Sequence, residues 1–83
     1  MPLYMDIHEH VEGLTAEAVI NAHAQDLETQ AKHGVKYLNY WYDVSQGKVF
    51  CLVEAPNKEA ANAVHREAHG LVADQIIEVQ EGA

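Results

Sequence analysis

Val35-Lys36-Tyr37-Leu38-Asn39-Tyr40-Trp41-Tyr42-Asp43, then Val44-Ser45-Gln46-Gly47, then Lys48-Val49-Phe50-Cys51-Leu52-Val53-Glu54, is the stretch on which the fold turns. Both arms are rich in aromatic and β-branched residues, which suit extended backbone. The four residues between them carry turn chemistry, so 35–43 and 48–54 are predicted to form a hairpin. Alternation places Leu38, Tyr40, Tyr42, Phe50 and Leu52 on one face. It places Tyr37, Trp41, Val49, Cys51 and Val53 on the other. A sheet with one wet face would alternate apolar with polar. Here both faces are apolar, and each is expected to be covered.

Reading outward from the hairpin, Leu3 to His10 also alternates. Leu3, Met5 and Ile7 share one side, and Tyr4, Asp6, His8 and His10 share the other. Thr15 is placed to cap a helix, with Glu17 in its first turn and Val19, Ile20, His23, Leu27 and Ala31 at helical spacing. Gly34 supplies its stop. Beyond the hairpin, Ala55-Pro56-Asn57 breaks the strand and Asn57 caps a second helix, with Ala60, Ala61, Val64 and Ala68 inward and a stop at Gly70. Gln75 to Gln80 reads as a final strand.

The order β-α-β-β-α-β is that of a split, ferredoxin-like α+β sandwich, a single domain over 1–83. Right-handed crossovers give an antiparallel sheet in the order 4-1-3-2 with both helices on one face. The helices cover one face only, so the open face is expected to close against a second copy in a homodimer. A chain of 83 residues has a small core, and a partner or a bound metal would supplement it.

Thirteen acidic and five basic residues give a net charge of −8. That balance argues against nucleic acid, which calls for a lysine and arginine surface, and against anionic membranes. Nothing at the start of the sequence reads as a signal peptide, and no apolar run spans a membrane, so the expected location is the cytoplasm. Cys51 is the only cysteine, which excludes an internal disulfide and a CxxC metal knuckle. Its parity with Val49 and Val53 makes it a buried small hydrophobe.

Four of the six histidines stand at ligand spacings. His8 and His10 lie two apart on a strand, hence on one face. His65 and His69 lie four apart on a helix, one above the other. Imidazoles so paired suit nickel, copper, zinc or iron. The topology brings His8, His10 and His69 to one end of the molecule, with His65 a turn lower and partly buried at the edge of the apolar stripe. Asp6, His8 and His10 are assigned by parity to the helix-free face. That assignment leaves open two separate sites, one joint site, or a site completed by a second subunit. Asp6, Glu9 and Glu67 are candidate carboxylate ligands beside these imidazoles. His23 is expected to be a hydrogen-bonded core histidine, with Asp26 within reach of any ion it shares, and His33 a surface residue complementing a helix end.

Val49-Phe50-Cys51-Leu52-Val53-Glu54-Ala55-Pro56 and Ala63-Val64-His65-Arg66-Glu67-Ala68-His69-Gly70-Leu71-Val72-Ala73-Asp74 resemble a family of small bacterial nickel-binding proteins, formerly a domain of unknown function. Met5-Asp6-Ile7-His8, Gly13-Leu14-Thr15-Ala16 and Ala22-His23 extend the resemblance over nearly the whole chain. It implies a ferredoxin-like homodimer that takes up a nickel ion at its surface and belongs to a family not known for catalysis, so no catalytic residues are assigned. The function expected is nickel buffering, sequestration or sensing, with His8, His10, His65, His69, Asp6, Glu9 and Glu67 as ligand candidates. Neutral imidazole ligands predict weaker binding below about pH 6.5. The rival expectation is a dimeric α/β-barrel enzyme or small-molecule binder whose pocket lies between facing sheets, lined by Asp6, His8 and Tyr40. His8 would then be a general base.

Overall fold

The computed structural model describes residues 1–82. Strand β1 (Leu3–His8) leads to helix α1 (Ala16–Thr29), which tightens into a 3-10 turn at Gln30–His33. Strands β2 (Lys36–Asp43) and β3 (Lys48–Glu54) follow as the hairpin, then helix α2 (Lys58–Ala68) and strand β4 (Gln75–Val79). The sheet order is β2-β3-β1-β4, which read from the other edge is the expected 4-1-3-2, and every pairing is antiparallel. This is the ferredoxin-like α+β arrangement.

Local chemistry accounts for the boundaries. The Thr15 side chain accepts from the amide of Ala18 at 3.1 Å, and Asn57 accepts from that of Ala60 at 2.8 Å, so both helices start where a cap satisfies a free donor. Gly34 ends the first helical segment in the left-handed conformation, with φ of 66°, which lacks a steric penalty only for glycine. Gly47 is constrained twice over: its φ is 67°, and an added Cβ would lie 3.0 Å from the carbonyl oxygen of Val11. The hairpin turn and the β1–α1 connector are therefore fastened backbone to backbone, Val11 N–H donating to Gly47 O at 2.9 Å.

The core is formed by Tyr4, Val35, Tyr37, Cys51, Val53 and Ala55 of the sheet region against Ala61 and Val64 of α2. Three expectations about facing are overturned. First, in β1 it is the row Tyr4, Asp6 and His8 that is buried under the helices, while Leu3, Met5 and Ile7 lie half-exposed on the open face. Alternation fixes which residues travel together, not which side is covered, and here α2 supplies a polar partner that makes burial of Asp6 tolerable.

Second, a bulge between Tyr37 and Asn39 shifts the phase of β2. An extra residue in one strand reverses the facing of all that follow. Tyr40 and Tyr42 thus stand opposite Cys51 and Val49 on the helix side with Tyr37, and Trp41 stands opposite Phe50 on the open side. Third, the inward line of α1 runs through Val19 and Asp26, both buried, whereas Ile20 and Leu27 are exposed. The open face that remains, with Leu3, Met5, Trp41, Phe50, Leu52 and Ile77, is apolar, and Trp41 is 47 % exposed.

Candidate metal centre

Asp6 and Cys51 are direct cross-strand neighbours on the helix-covered face, and His8 is two residues along from Asp6. Helix α2 lowers His65 onto this row and α1 brings Asp26 to it from the other side. His65 is 1 % exposed and is clamped at both ring nitrogens. Nε2 lies 2.9 Å from Asp6 Oδ2, and Nδ1 lies 2.9 Å from Asp26 Oδ1. The Tyr37 hydroxyl donates to Asp6 Oδ2 at 2.9 Å and stands 2.9 Å from His65 Nε2. The pattern extends at both ends. His8 Nε2 is 3.3 Å from Asp6 Oδ1, and His69 Nε2 is 3.0 Å from Asp26 Oδ1. A continuous chain His8–Asp6–His65–Asp26–His69 results.

Partners fix the protons. With a carboxylate at each nitrogen, His65 donates twice and is an imidazolium. The amide of Leu71 donates to Nδ1 of His69 at 3.1 Å, so that nitrogen carries no proton and Nε2 donates to Asp26. Burial opposes charge on His65, but the hydrogen bonds from Asp26 and Asp6 outweigh it and raise its pKa to about 9. Burial likewise works against the Asp6 and Asp26 carboxylates. Hydrogen bonds with His65, and the imidazoles of His8 and His69 close to Asp6 and Asp26 respectively, hold both below the ordinary value. Burial and the neighbouring Asp6 charge push the Cys51 thiol and the Tyr37 hydroxyl up, so both keep their protons.

A half-open cavity of about 70 Å³ lies between α1 and the sheet, with His8, Asp26, Cys51, His65 and His69 in its polar wall. Apolar side chains, among them Leu14, Val19 and Val49, complete it. Two sets of donors reach ion-holding proximity: Asp6, His8, Cys51 and His65, and separately Asp26, His65 and His69. Within each set one donor atom per residue lies within 4.8 Å of the others.

A family model described as nickel responsive protein SCO4226-like matches residues 4–79. The chain belongs to that family. The chain also resembles a solved structure, "Crystal structure analysis of SCO4226 from Streptomyces coelicolor A3(2)". Identity is 36%, coverage is 98% of this chain and 99% of that one, and the TM-score is 0.90. No curated protein matches.

Nickel is implied by the family description, and the residues of this chain fit it. Imidazole nitrogen and carboxylate oxygen are suitable donors for the ion. Asp6 Oδ1 is moreover a buried carboxylate oxygen with no hydrogen-bond partner among the described residues. Of the residues singled out from sequence, Asp6, His8, His65 and His69 are brought together. His10 is exposed on a separate shallow groove that His8 also lines, together with Val11, Glu12 and Asp74. Glu9 is fixed through its amide, which donates to Asp74 Oδ2 at 2.6 Å. Glu67 pairs with Lys32 at 2.6 Å and with His33 at 3.7 Å, on a face outside both donor sets.

His8 and Asp6 share a layer with the helix pair, contrary to the parity assignment. For the same reason His8 and Tyr40 line a cavity within the chain, on the helix side of the sheet, and not the open sheet face. His23, expected to be hydrogen-bonded in the core, lies tilted against Tyr40 with ring centroids 4.5 Å apart. Sequence reasoning placed Asp26 beside His23 and missed it as the link between His65 and His69, and missed Cys51 and Tyr37 as members. Only the partial burial of His65 hinted that buried carboxylates had to be nearby. Among the described residues no helix is long and apolar enough to cross a membrane.

Proposed function

We propose that this protein binds nickel as a homodimer and serves metal buffering, sequestration or sensing. The observation that carries the reading is the convergence of Asp26, His65 and His69 at a half-open cavity, in a chain of a nickel responsive family. His69, with its side chain 10 % exposed, is the least buried member, and Asp26 bridges it to His65. An ion there takes imidazole nitrogen and carboxylate oxygen, a set on which copper competes strongly with nickel. Dimerisation is through the apolar open face around Trp41, Phe50 and Ile77, whose burial stabilises a chain with a small core. With a net charge of −8 the protein has no affinity for nucleic acid, and its lone thiol is compatible with the cytoplasm.

The test is calorimetry with nickel on wild type and His69→Ala. The variant is expected to bind about tenfold more weakly or worse. Unchanged affinity and stoichiometry would remove this set from the reading. His69 is the right residue to alter, because loss of His65 would unpair two buried carboxylates and confuse binding with stability.

A second reading is a small-molecule binder or enzyme, favoured by the cavity itself, which joins apolar walls to an imidazole–carboxylate floor. Its Asp6–His8 pair would supply the general base. Displacement of a cavity-bound apolar probe by nickel would connect the two readings, and independent binding would separate them.

A further inference from the structure

We propose that Asp6, His8, Cys51 and His65 form a second, buried site for a divalent ion of the zinc class, with the Cys51 sulfur as a ligand. This rests on the same histidine network as the nickel reading but not on nickel. Donor atoms of all four residues lie within 4.8 Å of one another. A tetrahedral ion with bonds of about 2.0–2.3 Å sets its ligands roughly 3.3–3.6 Å apart, so the cluster has to contract by no more than about 1.5 Å. That is the scale of side-chain adjustment, since Asp6 and Cys51 are already paired across β1 and β3.

An independent observation points to a missing partner. Asp6 is fully buried, and Oδ1 has no hydrogen-bond partner among the described residues. His8 Nε2 is 3.3 Å away, an ion-pair distance lacking hydrogen-bond geometry. A buried carboxylate oxygen left in this condition costs free energy that a bound cation removes. Tyr37 donates to the other oxygen, Oδ2, so the carboxylate is held by hydrogen bonds through one oxygen, and the nearest group to Oδ1 given by the ion-pair geometry is His8.

The charge balance is equally specific. In the metal-free protein the set carries the Asp6 carboxylate and the His65 imidazolium, with Cys51 as a thiol. On binding, the His65 Nε2 proton and the Cys51 sulfur proton leave to solvent as the metal–nitrogen and metal–sulfur bonds form. Two positive charges replace two protons, and the buried charge does not change. Asp26 keeps its bond to the His65 Nδ1–H and so orients the ligating ring, the carboxylate–histidine–metal arrangement seen in many zinc sites. Three nitrogen or sulfur donors out of four disfavour magnesium and calcium. The two donor sets need opposite nitrogens of one ring: the buried set uses Nε2, and the set with His69 uses Nδ1. A neutral His65 therefore serves one ion at a time.

Cobalt is the probe, titrated into the full chain. The expected result is a thiolate-to-cobalt charge-transfer band with intense tetrahedral bands, saturating at one ion per chain and bleached by zinc. The band is lost in folded Cys51→Ser and retained in His69→Ala, so the buried site and the nickel reading fail separately. X-ray absorption on zinc-loaded wild type is expected to show a sulfur neighbour at about 2.3 Å, and needs no variant to fold. A shell of nitrogen and oxygen alone overturns the proposal, as does a band that persists in Cys51→Ser or the absence of bound cobalt.

Discussion

On the helix side of β1, Tyr4, Asp6 and His8 are buried, and the two polar members reach other ionisable groups within 3.3 Å. On the open side, Leu3, Met5 and Ile7 remain half-exposed beside Phe50, Leu52 and Ile77. The covered face carries charge and the uncovered one is apolar, the reverse of the usual pattern in a half-buried strand. Each face thus depends on something beyond its own strand. The inner row needs the His65 imidazolium, 2.9 Å from Asp6, to neutralise it, and Asp26 holds the other nitrogen of that ring at 2.9 Å. The outer row is the surface on which the proposed dimer would close.

The largest effect comes from deleting the neutralising group. His65→Ala leaves Asp6 and Asp26 buried without their shared cation and is expected to cost about 3–5 kcal/mol, measured as a lowered urea midpoint. A loss below about 1 kcal/mol would mean that solvent already reaches the inner row, and the contrast between the faces would collapse.

The next effect is a pH dependence confined to the inner row. His65 has a folded-state value of about 9 against an ordinary 6.5, so the stability it contributes is complete below pH 6.5 and disappears as pH rises through 9. The two carboxylates are held low, so their contribution is present above 3.8 and declines as pH falls below it. Unfolding free energy of the metal-free protein should therefore peak between about pH 4 and 6.5 and drop by about 3 kcal/mol towards pH 9. A profile flat from pH 6.5 to 9 would show that His65 is not an imidazolium.

Nickel affinity should run the other way. Uptake by His65 displaces a proton that it holds up to about pH 9, so binding is expected to strengthen by about tenfold per pH unit well above the 6.5 expected for free imidazole. Calorimetry across pH 6.5 to 8.5 reads this directly, and a plateau reached by pH 7 would exclude His65 as a ligand. The smallest change in the fold itself comes from the outer face. Trp41→Glu should convert a dimer to a monomer in sedimentation, while a monomeric protein should change stability by only about 0.5 kcal/mol. If the pH profile of that variant moved as well, the two faces would not be independent.

What was legible from sequence follows the same division. The caps at Thr15 and Asn57 and the turn at Gly47 depend on neighbours within a few residues, and each is where local chemistry places it. The strand and helix order follows from periodicity in the same way. Facing was not legible, because the bulge at Tyr37/Asn39 is defined by the partner strand and not by β2 alone. Asp26 could not be recognised as central, since its reason for burial is a histidine 39 positions away. The pairing of His65 with His69 was visible because four-residue spacing is local, but Cys51 joins the donors only through its register with Asp6.

The sheet order has a consequence for how the protein is made. β1 is an interior strand, and its outer neighbour β4, pairing Leu3 with Val79, is synthesised after everything else it touches. A growing chain can close the β2–β3 hairpin early, because its contacts are near in sequence, yet β1 keeps a bare hydrogen-bonding edge until residues 75–79 emerge. Asp6 sits on that strand. A chain that lacks residues 75–79 therefore holds its ionic row on a strand open to the wrong partners, and the pairing of β4 is the point at which that row becomes secure.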